Sequence, residues 1–159
     1  YFRATGDRRA IELLTDIAHG LPQYISRTDR PIGGLPSGGM CERVNLSDWE
    51  GKKNVGGNIF GRSVWCETAG MLTVTQLPGL YIQPDQGFYA VLDNIQADLL
   101  ETNKKGIRLR LSNPTPFPAD VKVFSESGKQ AQSTLFQLNK GNVQVVHLAA
   151  NESKEVWFE

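Results

Sequence analysis

The chain carries only two cysteines, Cys41 and Cys66, and two histidines, His19 and His147, among its 159 residues. Two cysteines are too few for a disulfide framework, and neither has the companions that a structural metal site requires. A single Cys41–Cys66 bridge would fit an oxidising compartment; a small buried thiol at Cys66 is the alternative. The histidines lie far apart without further ligands nearby, so neither a metal centre nor a catalytic triad is predicted. Net charge is lacking too, because 17 lysines and arginines balance 17 aspartates and glutamates. Without a basic stripe to neutralise phosphates, a nucleic-acid partner is excluded. No apolar run approaches the roughly eighteen residues needed to cross a bilayer as a helix, and nothing at the start resembles a signal peptide. A Gly-x-Ser-x-Gly elbow is missing. The glycines do not follow a strand and open a helix as a phosphate loop requires, so no nucleotide cofactor is expected, nor any other.

What is present is enough for a core. Hydrophobic residues make up 40% of the chain, with three Trp, seven Phe and four Tyr, an aromatic mass that disordered segments do not have. The length suits one domain, or a small domain plus part of another. The sequence opens Tyr-Phe-Arg-Ala-Thr-Gly-Asp, which reads as if cut from a longer polypeptide.

The chain changes period near residue 80. Before it, Ala10, Leu13, Leu14, Ile17, Ala18 and Leu21 recur at helical spacing and predict a helix over residues 7–21 with one buried face. Thr5 or Asp7 caps it, Gly20 and Pro22 end it, and His19 sits where the helix dipole favours a cation. A second helix is predicted over residues 64–77, with Ser63 as N-cap, Glu67 stabilising the first turn, and Trp65 in a largely buried apolar surface. From Leu80 onward the period is two. Strands are predicted at 80–83, 88–100, 107–112, 121–125, 143–148 and 155–158, separated by turns at Lys105-Gly106, 113–116, Ser127-Gly128, 140–142 and 151–153. The run Ile107-Arg-Leu-Arg-Leu111 should turn its aliphatic residues inward and Arg108 and Arg110 to water. Trp157 is expected in the sandwich core. Short strands at this spacing predict an antiparallel β-sandwich. The two helices have too few partners within the chain to bury their faces, so residues 1–77 should depend on other protein.

The segment Met-Cys-Glu-Arg-Val-Asn-Leu-Ser-Asp-Trp-Glu-Gly, residues 40–51, is the candidate site. Glycines flank it on both sides, and it reads as a long structured loop. Glu42 and Asp48 are the candidate catalytic acids, since paired carboxylates flanking a glycosidic bond can act as acid and base or acid and nucleophile; solvated or turn-capping carboxylates are the plainer alternative. Arg43, Trp49 and Glu50 are candidate substrate-binding residues. Arg43 suits a uronate or sulfate, or else a neighbouring acid. The Trp49 indole either stacks on a sugar or anchors the loop. Arg27, Asp29 and Arg30 read as a local ion-pair cluster.

These parts together resemble a known architecture. A helix ending Gly-Leu-Pro-Gln-Tyr, the acidic loop Cys-Glu-Arg-Val-Asn-Leu-Ser-Asp-Trp-Glu-Gly and a helix Ser-Val-Trp-Cys-Glu-Thr-Ala-Gly-Met-Leu precede a sandwich. The order is similar to the C-terminal end of bacterial six-hairpin, or (α/α)-toroid, carbohydrate-active proteins, which include glycoside hydrolases and polysaccharide lyases. The resemblance implies an α+β fold: the terminal helical hairpin of a toroid-like domain over residues 1–78, then the β-sandwich over 79–159. It also implies a polysaccharide or oligosaccharide as partner, an upstream helical part of the same protein, and an extracellular or periplasmic location. Only two of the dozen or so helices of a toroid are present, so the loop would form at most part of an active site. The run Leu-Ser-Asn-Pro-Thr-Pro-Phe-Pro-Ala-Asp-Val-Lys-Val also resembles Ig-like accessory sandwiches, which implies a non-catalytic carbohydrate-binding or interaction module instead.

Overall fold

Strict alternation in the second half of the chain builds two sheets. A computed structural model describes residues 1–32, 35–45, 58–62, 64–133 and 142–159. The chain falls into two compact units, residues 1–19 with 76–159, and residues 20–75. The first helical residues therefore belong with the sheets rather than with residues 20–75.

In the larger unit, β3 (Leu80–Gln83), β4 (Phe88–Val91), β7 (Ala119–Ser125) and β8 (Asn142–Leu148) form a sheet in the order β4-β3-β7-β8. The second sheet holds β5 (Gln96–Asn103), β6 (Gly106–Ser112) and β9 (Ser153–Phe158) in the order β5-β6-β9. Leu80, Ile82, Val121, Val123, Val146 and Leu148 of the first sheet meet Ile107, Leu109, Leu111 and Phe158 of the second in one apolar cluster. Two sheets sharing a core between their inner faces form a sandwich. Ile107, Leu109 and Leu111 are fully buried, while Arg108 pairs with Glu101 at 3.0 Å and Arg110 with Glu155 at 3.1 Å on the wet face.

Several details depart from the sequence reading. The sheet is not wholly antiparallel, because β3 runs parallel to β7, with Leu80 opposite Val123 and Ile82 opposite Ser125. The expected strand over 88–100 is two strands in different sheets, broken at Asp93-Asn94, where the Asp93 carboxylate accepts the Asn94 N–H. Trp157 is half-buried and lies opposite Arg108, whereas its neighbour Phe158 enters the core opposite Ile107; one step of a two-residue period decides between them. Residues Gly128–Ser133 form the short helix α4 rather than a turn. Its start is a capping box: the Gln130 amide oxygen accepts the Ser127 N–H at 2.9 Å, and the Ser127 hydroxyl accepts the Gln130 N–H at 3.2 Å.

The outer face of β3 is covered as well. α1 (Phe2–Thr5) and α2 (Arg8–Gly20) meet at Gly6, which adopts the left-handed conformation at φ 71° that glycine tolerates. Asp7 caps α2 by accepting the Arg9 N–H at 3.1 Å. Ile11 of α2 packs with Tyr81, Ala90 and Phe124, and Phe2 adds its ring to them. The expected inward stripe is rotated, since Ile11 is the buried position and Leu13 and Ile17 are exposed.

In the smaller unit, β1 (Cys41–Asn45) pairs antiparallel with β2 (Asn58–Arg62). α3 spans Val64–Gln76; its expected cap Ser63 lies outside the described residues. Gly70 lies against Met40, where a Cβ would approach the sulfur to 3.1 Å. Expected to be largely buried, α3 instead exposes Val64, Met71 and Leu72, and Trp65 is 85% exposed. The expectation rested on an apolar surface that runs around the helix, and such a surface is buried only where neighbours surround it.

Candidate functional site

Of the five predicted site residues, Glu42 and Arg43 lie on β1. They occupy adjacent positions, with Arg43 opposite Phe60, so residues 41–45 are a paired strand and not the start of a loop. Asp48, Trp49 and Glu50 lie outside the described residues. The pairing of Asn45 with Asn58 brings together the two ends of the segment that carries them.

Nearby side chains of the same unit have structural duties. The Glu67 carboxylate accepts the Met40 N–H at 3.2 Å. Arg27 forms a two-pronged pair with Asp29, at 2.8 and 2.5 Å, which holds the Asp29 carboxyl below its ordinary range. Buried Ser26 organises the turn by donating to the Leu35 carbonyl and accepting the Ile32 N–H. Cys66 lies half-buried on α3.

A second polar constellation, not anticipated from the sequence, sits at the outer face of the β4-β3-β7-β8 sheet. Arg3 donates from Nε and Nη2 to the two carboxylate oxygens of Glu126, both at 2.7 Å. Tyr81 donates its hydroxyl to Glu126 Oε1 at 2.6 Å, and Gln83 Nε2 donates to the Tyr81 oxygen at 2.8 Å. Burial, then the neighbouring Glu126 charge, push the Tyr81 phenol above its ordinary value, while Glu126 holds the Arg3 guanidinium above its own. Arg3 and Glu126 stand 123 positions apart, and no local pattern marks such a pair.

Beside this network lies a cavity of about 610 Å³, walled by α1, α2, α4, β3 and the residues around Leu77 and Leu92. Phe2, Ile11, Leu14, Leu77, Tyr81 and Leu92 give it an apolar lining, with Arg3 and Gln132 among its few polar members.

On the opposite edge of the same sheet, His147 Nδ1 lies 2.7 Å from Asp120 Oδ1, both well exposed. Their positions face each other across β7 and β8. No group of three or more His, Cys, Asp or Glu that could hold a metal occurs among the described residues, and no helix among them is long and apolar enough to cross a membrane.

Set against protein families, curated proteins and solved structures, the chain matches none of them.

Proposed function

We propose that the sandwich unit serves a carbohydrate-active protein as a non-catalytic Ig-like accessory module, and that any sugar contact is made from the 40–51 segment. The observation that carries this reading is the state of Glu126. It is the buried carboxylate of the sandwich, and it is held by both Arg3 and Tyr81. A general acid or base must reach the proton it moves, and both Glu126 oxygens are already taken up by Arg3 and Tyr81. Surface carboxylates Glu101 and Glu155 are likewise paired, with arginines on β6. These pairings suit a module that is built to pack and bind.

The enzymatic reading rests on the hairpin. Glu42 and Arg43 on β1, with Asp48, Trp49 and Glu50 in the segment whose ends the Asn45–Asn58 pair joins, would form one side of a polysaccharide cleft in a glycoside hydrolase or lyase. The rest of that cleft would come from an upstream toroid-like helical part of the same protein, outside the cytoplasm. The exposed apolar residues of α3, Trp65, Met71 and Leu72, support such a helical neighbour.

One experiment separates the two. The protein is screened against acidic and neutral glycans, and Glu42→Gln, Asp48→Asn and Trp49→Ala are compared with the parent. For the accessory module, glycan binding weakens in Trp49→Ala and no turnover is detected in any form. A turnover that falls about 10²–10⁴-fold in either carboxylate variant, with folding unchanged, replaces the accessory reading by the enzymatic one.

A further inference from the structure

We infer that the cavity beneath α1, α2 and α4 is a binding site for an uncharged, apolar small molecule. Its volume of about 610 Å³ falls within the range of about 300–1,000 Å³ typical of small-molecule sites, which are mostly apolar with a few placed polar groups. Phe2 and Tyr81 supply rings, and Ile11, Leu14, Leu77 and Leu92 supply aliphatic surface.

The charge state of the lining selects the ligand class. Arg3 is the one charged side chain among the lining residues, and its charge is met by the two-pronged bond to Glu126. An anionic ligand would have to compete with that carboxylate, and a cationic ligand would find no net negative charge. A sugar or polyol is disfavoured for another reason. Its many hydroxyls would face Gln132 and the Tyr81 oxygen but little else that is polar, and each buried hydroxyl left without a partner costs about 1–3 kcal/mol.

The cavity is also held open by its frame. An apolar void in a core normally collapses as far as its walls can relax. Here two walls are tied to distant parts of the fold by polar contacts: α1 by Arg3 on Glu126, and α4 by the Gly128 N–H on the Asp85 carboxylate at 3.1 Å. Walls pinned in this way keep a space that a ligand can fill. Exposed Tyr1 and Gln132 stand at its rim.

The test uses the intact protein and the neutral fluorophore N-phenyl-1-naphthylamine. A single saturable binding event with enhanced emission is expected, together with a rise in unfolding midpoint at saturating probe. Ala10→Trp and Gln132→Trp, which place an indole into the space from two different walls, should each weaken binding at least tenfold. Trp65→Ser, on α3, should leave it unchanged. No saturable binding, no rise in midpoint for the parent, or parent-like affinity in either folded tryptophan variant overturns the site. Tighter binding of the sulfonated relative 8-anilino-1-naphthalenesulfonate, competitive with the neutral probe, overturns the ligand class.

Discussion

Arg3 and Glu126 form a two-pronged pair whose side chains are 17% and 5% exposed. The pair ties α1 to the strand end that follows β7, and it does so largely out of water. Removing one partner leaves the other charge buried, a loss that for buried pairs is about 3–5 kcal/mol, and removing Glu126 also takes away the acceptor of the Tyr81 hydroxyl. Glu126→Leu should destabilise by about that amount, and Arg3→Met by less, because Tyr81 still donates to the carboxylate. The double variant should cost clearly less than the two single losses added together. Urea unfolding of the four proteins gives the coupling energy; simple additivity would show that the pair contributes nothing as a pair.

Tyr81 makes the same region sensitive to alkali. Burial and the Glu126 charge raise its pKa in the folded state above the ordinary value of 10.0. A raised folded pKa means that the native state holds its proton more tightly. The associated stability is fully present below pH 10 and is lost as pH climbs from there toward the folded value. The unfolding midpoint in urea should therefore fall above about pH 10, and Tyr81→Phe should flatten that fall. An unchanged slope in the variant would place the alkaline transition elsewhere.

Gly106 shows where space rather than charge is decisive. A Cβ at this position would overlap the Phe158 carbonyl oxygen and touch the Trp157 ring at 3.2 Å. The obstacle is backbone of the adjacent strand β9 and cannot swing away. Gly106→Ala should destabilise by about 1–3 kcal/mol through forced separation of β6 from β9. The measurement is thermal unfolding followed by tryptophan emission, which reports Trp157 at the same time.

Trp65 provides the opposite case. A tryptophan in a packed core costs about 3–5 kcal/mol when truncated, whereas surface replacements fall within about ±0.5 kcal/mol. At 85% exposure, Trp65→Ser should belong to the second class in this chain. A loss of several kcal/mol would mean that α3 is covered in solution.

The sequence made strand positions legible where alternation was strict. β3 begins and ends where Leu80 and Gln83 predicted, and the inward set Ile107, Leu109 and Leu111 follows directly from the two-residue period. What alternation does not carry is which neighbour a strand chooses. The parallel β3–β7 pairing and the division of residues 88–103 between two sheets depend on contacts between distant residues. Two misses did have local signals: Asp93-Asn94 is a turn dipeptide, and Ser127-Gly-Lys-Gln130 has the spacing of a capping box. For the candidate site, residue types marked the 40–51 segment, but they gave no sign that 41–45 would pair with 58–62. The Arg3–Glu126–Tyr81 network was invisible because its members meet only after folding.

The parallel pairing of β3 with β7 also fixes an order of events during synthesis. β4 leaves the ribosome straight after β3 and can pair with it as a hairpin. The other edge of β3 must wait for residues 119–125, and β5 and β6, which join the other sheet, emerge in between. At about 5–20 residues per second this interval lasts roughly 2–7 s. Throughout it, the Leu80–Gln83 strand, buried at every position in the finished fold, presents an open edge flanked by apolar side chains. Such an edge is a template for pairing with another chain. The nascent protein is thus most prone to aggregate after β3 has emerged and before β7 arrives, and slower translation of residues 84–118 would lengthen that exposure.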